Sequence, residues 1–379
     1  MQARHIDHPV YIDSDDALSL FCKQWSKSEL LALDTEFIRT DTFYPIGALI
    51  QVSDGSGCFL IDPLAIDDFS SFSALLTDST IVKVLHSCSE DLEVFERLFG
   101  VVPRPLIDTQ IAAAMDGHGF SLGYQRLTEI LLQIHVAKGE TRSNWLQRPL
   151  TDSQIHYAAL DVAHLPAMYQ LLIDSLRRKG RLPWLQEDCE TLVRAADAGD
   201  NIDHYYKKVK SCWKLSAREL GILQALTVWR EHTARQKDLP RGRVLKDRCC
   251  YDIARLQPKN LRELSAVADV GAKTLRNYGE SILDTVDNAQ ALADDQLPAK
   301  LPKPLPPQAS QLLKLLKSHI SQRAQQLQIA AELLAKKRDC EALLRSGVNN
   351  GDYQLPETLS GWRRAVVGNE LLELIDREQ

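Results

Sequence analysis

The 379-residue sequence lacks a long hydrophobic segment, since no apolar run approaches the roughly 20 residues that a membrane helix needs. Its start, MQARHIDHPVYIDSDD, carries acids and no apolar core, so we expect no signal peptide there. The eight cysteines include no CxxC pair, and the adjacent Cys249 and Cys250 lack the spacing of metal ligands. These absences argue against membrane, disulfide-stabilised and zinc-finger proteins, and they favour a reduced, cytoplasmic compartment.

The charge of the chain is unevenly distributed. Residues 201–260 contain 14 Lys or Arg and 6 Asp or Glu, a net charge of +8. Because the whole chain carries −6, the remainder carries −14. A basic segment on an acidic protein indicates a polyanionic partner bound at one place, and a solvated helical face is the alternative interpretation.

The hydrophobic pattern of the first 200 residues alternates strands with helices. The segments LLALDTEF, IGALIQVS and GCFLID predict an antiparallel meander over residues 30–62. IVKVLH predicts a further strand, and SEDLEVFERLF, which follows it, predicts an amphipathic helix. The pattern therefore indicates an α/β domain with a mixed sheet flanked by helices.

Helical patterns dominate after about residue 120. Thr151 and Gln154 predict a capping box at the start of a helix, and Pro166 predicts a kink inside it. A length of 379 residues is too great for one ordinary core. We therefore predict an α/β domain over 1–205, an all-α domain over 211–290, a Pro-rich linker over 291–307 and a second all-α domain over 308–379.

Two acids end the first predicted strand of the meander. Asp34 and Glu36 are one residue apart, so at the strand period of two their side chains point to the same face. Two adjacent carboxylates repel one another unless a cation neutralises them, and hard oxygen ligands suit Mg²⁺ or Mn²⁺. Alone, the pair has another interpretation, which is two solvated acids where the strand leaves the sheet.

Three later residues have the chemistry to complete such a site. Asp91 opens the helix after IVKVLH, where the helix dipole favours an acid in any case. Tyr157 and Asp161 lie four residues apart, so they share one helical face. Four carboxylates from three elements are what two divalent ions about 3.5–4 Å apart require, and a tyrosine hydroxyl can orient an attacking water.

These motifs and their flanks resemble the DEDD superfamily of 3′–5′ exonucleases, in its tyrosine-bearing subgroup. DTEF (34–37) resembles the first motif, HSCSEDLEVF (86–95) the second and YAALD (157–161) the third. TFYPIGALIQVS and IDTQIAA extend the resemblance, which covers about residues 10–200. It implies a ribonuclease H-like sheet and two divalent metal ions, Mg²⁺ or Mn²⁺.

The residues that follow this region narrow the resemblance to a smaller family. The residues LSARELGILQALTVWREHTARQKDLPRGRVLKD and YGESILDTV resemble an HRDC module, and the last helical block is a weaker second one. This arrangement is similar to the ribonuclease D family, which trims the 3′ ends of RNA. The resemblance implies an exoribonuclease that releases 5′-mononucleotides, acts on tRNA precursors with 3′ trailers and other structured RNAs, and needs no protein partner or membrane.

The resemblance also implies a role for each site residue. Asp34 bridges both ions, Glu36 and Asp161 hold the ion that activates water, and Asp91 holds the second ion. Glu36 also approaches the terminal ribose, and Tyr157 positions the water. Both Tyr157 and Glu36 are therefore expected to be catalytic. His86 and Gln51 lie near these motifs and are candidates for contact with the nucleic acid, but His86, which ends an apolar strand, is expected to be structural.

The basic segment supplies the expected contacts to nucleic acid, because phosphates attract Lys and Arg without sequence readout. We expect them from Lys207, Lys208, Lys210, Arg241, Arg243 and Lys246. Two alternatives stay open at this point. The metal motifs do not separate an RNA exonuclease from a DNA 3′–5′ exonuclease, and a catalytically dead nucleic-acid-binding scaffold shares the fold.

Overall fold

The chain folds into two compact units. In the computed structural model, residues 8–137, 139–140, 143–306, 309–347 and 351–378 are described. The first unit comprises Met1–Ile38, Ile46–Ala198 and Leu305–Gln379. The second comprises Arg39–Pro45 and Gly199–Pro304. The junction of the predicted linker and last domain, at 307–308, lies outside the described residues.

A six-stranded mixed sheet organises the first unit. Its strands are β1 (Val10–Ile12), β2 (Leu30–Ile38), β3 (Ile46–Ser53), β4 (Cys58–Ile61), β5 (Val82–Leu85) and β6 (Leu106–Asp108). The order is β1-β4-β3-β2-β5-β6. β2, β3 and β4 pair antiparallel, as the meander predicts, whereas β5 pairs parallel with β2, β6 with β5 and β1 with β4. β2 is thus a central strand, and the α/β prediction is confirmed.

Helices of the first unit cover both faces of this sheet. They are α1 (Asp15–Trp25), α2 (Ser70–Thr77), α3 (Ser89–Phe99), α4 (Thr109–Asp116), α5 (Tyr124–Leu132), α6 (Asp152–Ala163), α7 (Leu165–Arg178) and α8 (Leu182–Ala198). One core joins α1, α2 and α3 to the sheet, and another joins α4 to α8 to it. β1 and α1 have no counterpart in the sequence prediction. β1 has only three residues, which are too few to show a readable period.

The predicted capping box at α6 is confirmed. The Gln154 backbone N–H donates to Thr151 Oγ1 over 3.2 Å, and the Thr151 N–H donates to Gln154 Oε1 over 3.0 Å. The predicted kink at Pro166 is a full break instead. α6 ends at Ala163, His164 caps α7, and Pro166 lies in the first turn of α7, where its missing N–H costs no helical hydrogen bond.

The second unit is a helical domain with its own core. Its helices are α9 (Ala217–Gln236), α10 (Arg241–Val244), α11 (Asp247–Leu256), α12 (Leu261–Ser265) and α13 (Ala272–Gln290), with 3₁₀ turns at Ile202–Lys208, Cys212–Lys214 and Asp294–Gln296. Segment 39–45, which links β2 to β3 in sequence, belongs to this unit. Phe43 is buried in its core, and Asp238 accepts the backbone N–H groups of Phe43 (2.9 Å) and Tyr44 (3.0 Å).

The last helical block belongs to the first unit. It comprises α14 (Ala309–Leu327), α15 (Ala331–Leu334), α16 (Lys337–Gly347), α17 (Gly361–Arg363), a π turn (Arg364–Gly368) and α18 (Asn369–Arg377), with a 3₁₀ turn at Glu357–Leu359. Its buried side chains continue the core formed by α4, α7 and α8. Among the residues described, none of the helices has both the length and the apolarity needed to cross a membrane.

Candidate active site

The central strand β2 positions the first two acids. Asp34 pairs directly with Gln51 of β3, and Glu36 pairs with Leu49. Both carboxylates therefore lie on one face of the sheet, as the period of two predicts. The ladder is irregular after Glu36, where a bulge shifts the register. Asp34 and Glu36 are partly exposed, whereas the three residues before Asp34 are buried.

The start of α3 brings Asp91 to the same strand. The Thr35 hydroxyl, between the two acids in sequence, donates to Asp91 Oδ1 over 2.5 Å. Asp108, at the end of β6, holds the turn before α3 by accepting the backbone N–H groups of Ser87 (3.0 Å) and Cys88 (3.0 Å). The same carboxylate caps α4. Asp91 is thereby fixed beside β2, with only 8% of its surface exposed.

Helix α6 contributes the third element of the site. Tyr157 and Asp161 lie one turn apart on one face of α6, close enough for each to shift the pKa of the other. The Trp145 ring lies 6.0 Å from the Tyr157 ring, centroid to centroid. Gly139 packs against the same ring so closely that a Cβ at that position would overlap it. The phenol is therefore held in place by the residues before α6 as well as by its own helix.

The four carboxylates perturb one another strongly. Burial and the charges of Asp91, Asp161 and Glu36 raise the pKa of Asp34 well above its usual value. Burial and the charges of Asp161 and Asp91 raise the pKa of Glu36 to about 8. Burial, with the charge of Asp91, raises the pKa of Asp161 to about 7 despite the Tyr157 hydrogen bond, which lowers it.

The pKa of Asp91 is raised to about 6, again chiefly by burial and against the Thr35 hydrogen bond. Residues from β2, α3 and α6 thus share one electrostatic field. A buried group of acids that repel one another is stabilised by a cation, and carboxylate oxygens are the ligands that Mg²⁺ and Mn²⁺ prefer.

The donor chemistry of these residues therefore fits divalent metal ions. Over the described ranges, no three His, Cys, Asp or Glu side chains lie close enough together to hold a metal ion as they stand. The fit accordingly rests on the chemistry of the donors and on their mutual effect on pKa, and the latter acts only over short distances.

His86 has the structural role expected of it. Its Nδ1 lies 2.9 Å from Thr109 Oγ1, and its Nε2 lies 3.0 Å from the Leu122 carbonyl oxygen. Burial lowers the pKa of His86, so the neutral ring is favoured. Gln51 is fully buried, with no exposed surface for nucleic acid to contact.

Sequence reasoning missed Thr35 and Asp108, which orient Asp91 without being predicted site residues. The sequence around Thr35 has no signal for this role beyond the position of Thr35 between two acids. Asp108 had one, because an Asp followed by Thr and Gln after an apolar pair is typical of a helix N-cap.

The predicted nucleic-acid-binding lysines are exposed in the second unit. Lys207, Lys208 and Lys210 project from the segment that precedes α9. The Lys208 ammonium lies 4.3 Å from the Tyr205 ring centroid, and the Lys207 ammonium lies 5.8 Å from that of Tyr206. One partly exposed ring, that of Tyr205, thus accompanies the charges, whereas Tyr206 is buried.

The other three predicted binding residues differ from one another. Lys246 is exposed before α11. Arg241 donates to the fully buried Glu231 over 2.5 Å and to the Tyr205 hydroxyl over 2.8 Å, so its guanidinium is engaged within the unit. Arg243 forms an ion pair with Asp41.

Three family models match the chain. "3'-5' exonuclease" matches residues 9–177, "HRDC domain" matches 219–286 and "Ribonuclease D, C-terminal HRDC domain" matches 307–371. Together they cover the sheet, its helices as far as α7, and most of both helical blocks.

Similar proteins span nearly the full length. Ribonuclease D of Pseudomonas paraeruginosa is 44% identical, over 97% of this chain and 97% of its own. Ribonuclease D of Escherichia coli is 37% identical, over 96% of this chain and 97% of its own. The crystal structure of Escherichia coli RNase D, described as an exoribonuclease involved in structured RNA processing, superposes with a TM-score of 0.90 at 36% identity, covering 98% of this chain and 99% of that one.

Proposed function

The chain belongs to the ribonuclease D family, and we propose that its four acids and Tyr157 form the active site of a 3′–5′ exoribonuclease that releases 5′-mononucleotides. The observation that carries this proposal is that the charges of Asp91 on α3 and Asp161 on α6 both raise the pKa values of Asp34 and Glu36 on β2. Acids so far apart in sequence affect one another's pKa values only if the fold brings them together.

We propose that two divalent ions, Mg²⁺ or Mn²⁺, bind to these acids. Asp34 would be shared between them, Glu36 and Asp161 would complete one site, and Asp91 the other. Bound ions of this kind activate water, neutralise the phosphate and stabilise the leaving 3′ oxygen. Thr35 and Asp108 keep Asp91 oriented toward β2, since carboxylate ligands held by hydrogen bonds lose less freedom on binding.

Tyr157 is proposed to orient the attacking water through its hydroxyl. Its pKa is raised by burial and by the charges of Asp161, Glu36 and Asp34, so the phenol keeps its proton at neutral pH. A neutral phenol acts as both donor and acceptor, which suits it to hold a water without removing its proton. Glu36, one strand position beyond Thr35, is the acid proposed to approach the terminal ribose.

The substrate is RNA, and we propose tRNA precursors with 3′ trailers as the principal class. Lys207, Lys208, Lys210 and Lys246 are exposed and available to phosphates, whereas Arg241 and Arg243 would have to exchange internal partners first.

We further propose domain limits of 1–205, 211–290 and 308–379 with a linker over 291–307, and a cytoplasmic location. The latter is in keeping with eight cysteines that are all free thiols.

Neutralising one carboxylate tests the proposed site. Asp34→Asn and Asp161→Asn are expected to lower Mg²⁺-dependent release of mononucleotides from 3′-labelled RNA below detection while RNA binding is retained, because an amide lacks the charge that holds a cation. Asp152→Asn is the matched control, since this exposed acid lies on α6 as Asp161 does. Full activity in either site variant would refute the metal assignment.

The substrate class is tested with tRNA precursor carrying a short 3′ trailer and with DNA of matched sequence. Stepwise shortening of the precursor to the mature 3′ end supports the proposal. Equal or faster release from DNA would favour a DNA exonuclease, and no release from either would favour a binding scaffold.

A further inference from the structure

Gln51 carries an unusual energetic cost in the middle of the sheet. Its side chain is 0% exposed, and neither Oε1 nor Nε2 has a hydrogen-bond partner in the described structure. A buried polar group left unpaired costs about 1–3 kcal/mol, so an apolar side chain of similar size would stabilise the fold better. The amide is therefore unexplained as a structural residue of β3.

The position of Gln51 supplies the explanation. It pairs directly with Asp34 across the antiparallel ladder, so both side chains lie on one face. Side chains paired in this way have Cβ atoms about 4.5–5.5 Å apart, which is within reach of a flexible glutamine. On the other side its partner is Leu60 of β4.

The buried cluster in this layer is largely apolar. Leu49, two residues before Gln51, and Leu60 belong to a buried cluster that also contains Ala158 of α6. Asp161 lies three residues beyond Ala158 on the same helix. In strand register the polar group opposite the amide is Asp34, and the cluster also contains two rings with polar tips, Trp145 and Tyr157.

We propose that Gln51 is a positioning residue, whose Nε2 donates a hydrogen bond to the Asp34 carboxylate when that carboxylate binds the divalent ions. The inference rests on the proposed function and assigns a residue to it that lies outside the acids and Tyr157. Carboxylate ligands are commonly oriented by outer hydrogen bonds, and loss of such a partner typically costs 10–100-fold in metal affinity or activity.

The proposal predicts opposite effects on stability and on metal binding. Gln51→Leu in the full chain is expected to keep or raise the melting temperature in EDTA, since it removes unpaired polar atoms. The same variant is expected to bind Mn²⁺, followed by the EPR signal of the free ion, about 10–100-fold more weakly. Turnover should fall, whereas KM for RNA should stay within about twofold, because the amide is buried away from RNA.

Gln51→Met tests the amide itself. It keeps the length of the side chain but removes the N–H donor without adding a charge, so Mn²⁺ affinity is expected to fall as in Gln51→Leu. Leu60→Met, a volume-conserving change on the opposite side of Gln51, is the matched control and should leave Mn²⁺ affinity unchanged. Gln51→Met replaces Gln51→Leu if the branched side chain does not fit.

Wild-type Mn²⁺ affinity in Gln51→Leu, together with a lower melting temperature, would overturn the inference and make Gln51 a structural residue. Failure of the proposed function is distinguishable from this result. In that case Asp34→Asn would also retain Mn²⁺ binding and activity, whereas failure of this inference alone leaves Asp34→Asn inactive and Gln51→Leu active.

Discussion

The two helical blocks begin alike but are built into the molecule differently. Each opens with a long helix, α9 of 20 residues and α14 of 19, followed by a four-residue helix. The first block closes its own core around α9, α11 and α13. The second shares its core with α4, α7 and α8 of the exonuclease fold. Similar helix order therefore does not imply similar dependence on the catalytic domain.

The outer residues of each block account for the difference. In the second, the Trp362 ring stacks on Trp184 of α8 with centroids 4.5 Å apart and planes at 6°. Arg363 donates twice to Asp188 of α8, over 2.6 and 2.7 Å. The first block instead places exposed lysines at Lys207, Lys208 and Lys210. The second block thus packs on α8 of the exonuclease fold, whereas the first block exposes positive charges to solvent.

The largest expected effect comes from removing the contact of the second block with α8. Trp362→Ala is expected to destabilise the first unit by about 3–5 kcal/mol. It removes a buried ring, the stacking contact of that ring with Trp184, and a hydrogen bond to Asp188. Urea unfolding followed by loss of exonuclease activity on a short oligonucleotide measures the effect.

The control for Trp362→Ala is Trp213→Ala, a partly exposed tryptophan of the second unit. It should leave the urea midpoint for that activity nearly unchanged. An equal shift for both variants would contradict the distinction between the two blocks.

The second prediction compares the buried acids of the two units. Glu231 of the first block accepts Arg241, whereas the site acids face one another. The pKa values of Glu36 (about 8) and Asp161 (about 7) lie above the usual values near 4 of the unfolded chain. Between these pH limits the folded state binds more protons than the unfolded state. The free energy of unfolding in the absence of divalent ions should therefore fall as pH rises from about 4 to about 8.

The expected loss is on the order of several kcal/mol, at roughly 1.4 kcal/mol for each unit by which the pKa of a site acid is raised. Thermal melts in EDTA from pH 5 to pH 8 test it, and Mn²⁺ should restore more stability at pH 8 than at pH 6. Asp161→Asn should flatten the profile. A melting temperature that rises steadily with pH in EDTA would show that the acids do not share a site.

The smallest expected effect separates binding from chemistry. Replacing Lys207, Lys208 and Lys210 by Ala should weaken binding of long RNA about tenfold at moderate salt and reduce the salt slope by up to about 0.7 per lost contact. Turnover at saturating RNA should not change. The measurement is a filter-binding titration at several salt concentrations.

The matched change replaces Lys336, Lys337 and Arg338 of the second block by Ala. It should have less effect, because Lys337 and Arg338 already pair with Glu341 (3.4 Å) and Asp339 (3.8 Å). Equal losses from the two triple variants would remove the distinction between the blocks in RNA binding.

Much of the fold was predictable because its signals are local. The start of α9 at Ala217 has a local signal, since Ser216 and Glu219 form a capping box there. The meander followed from alternating apolar residues and turn residues. The short β1 and the break at His164 were not predicted, because three residues carry no period and a proline near a helix start resembles one inside a helix.

The acids of the candidate site were named from the sequence, but their surroundings were not. Nothing local indicates that Thr35 bonds to Asp91, that Asp108 holds the turn before α3, or that Gln51 is buried opposite Asp34. Nor does segment 39–45 show in its sequence that Phe43 enters the core of the second unit.

The amino-acid order thus specified what can be decided within a few residues, namely helix caps, strand periods, turn residues and the motifs that carry the acids. Pairing across the sheet, the shared field of the carboxylates and the core to which each helical block belongs were decided by folding. They depend on contacts between residues dozens to hundreds of positions apart, which form only when the apolar faces of separate elements are buried together.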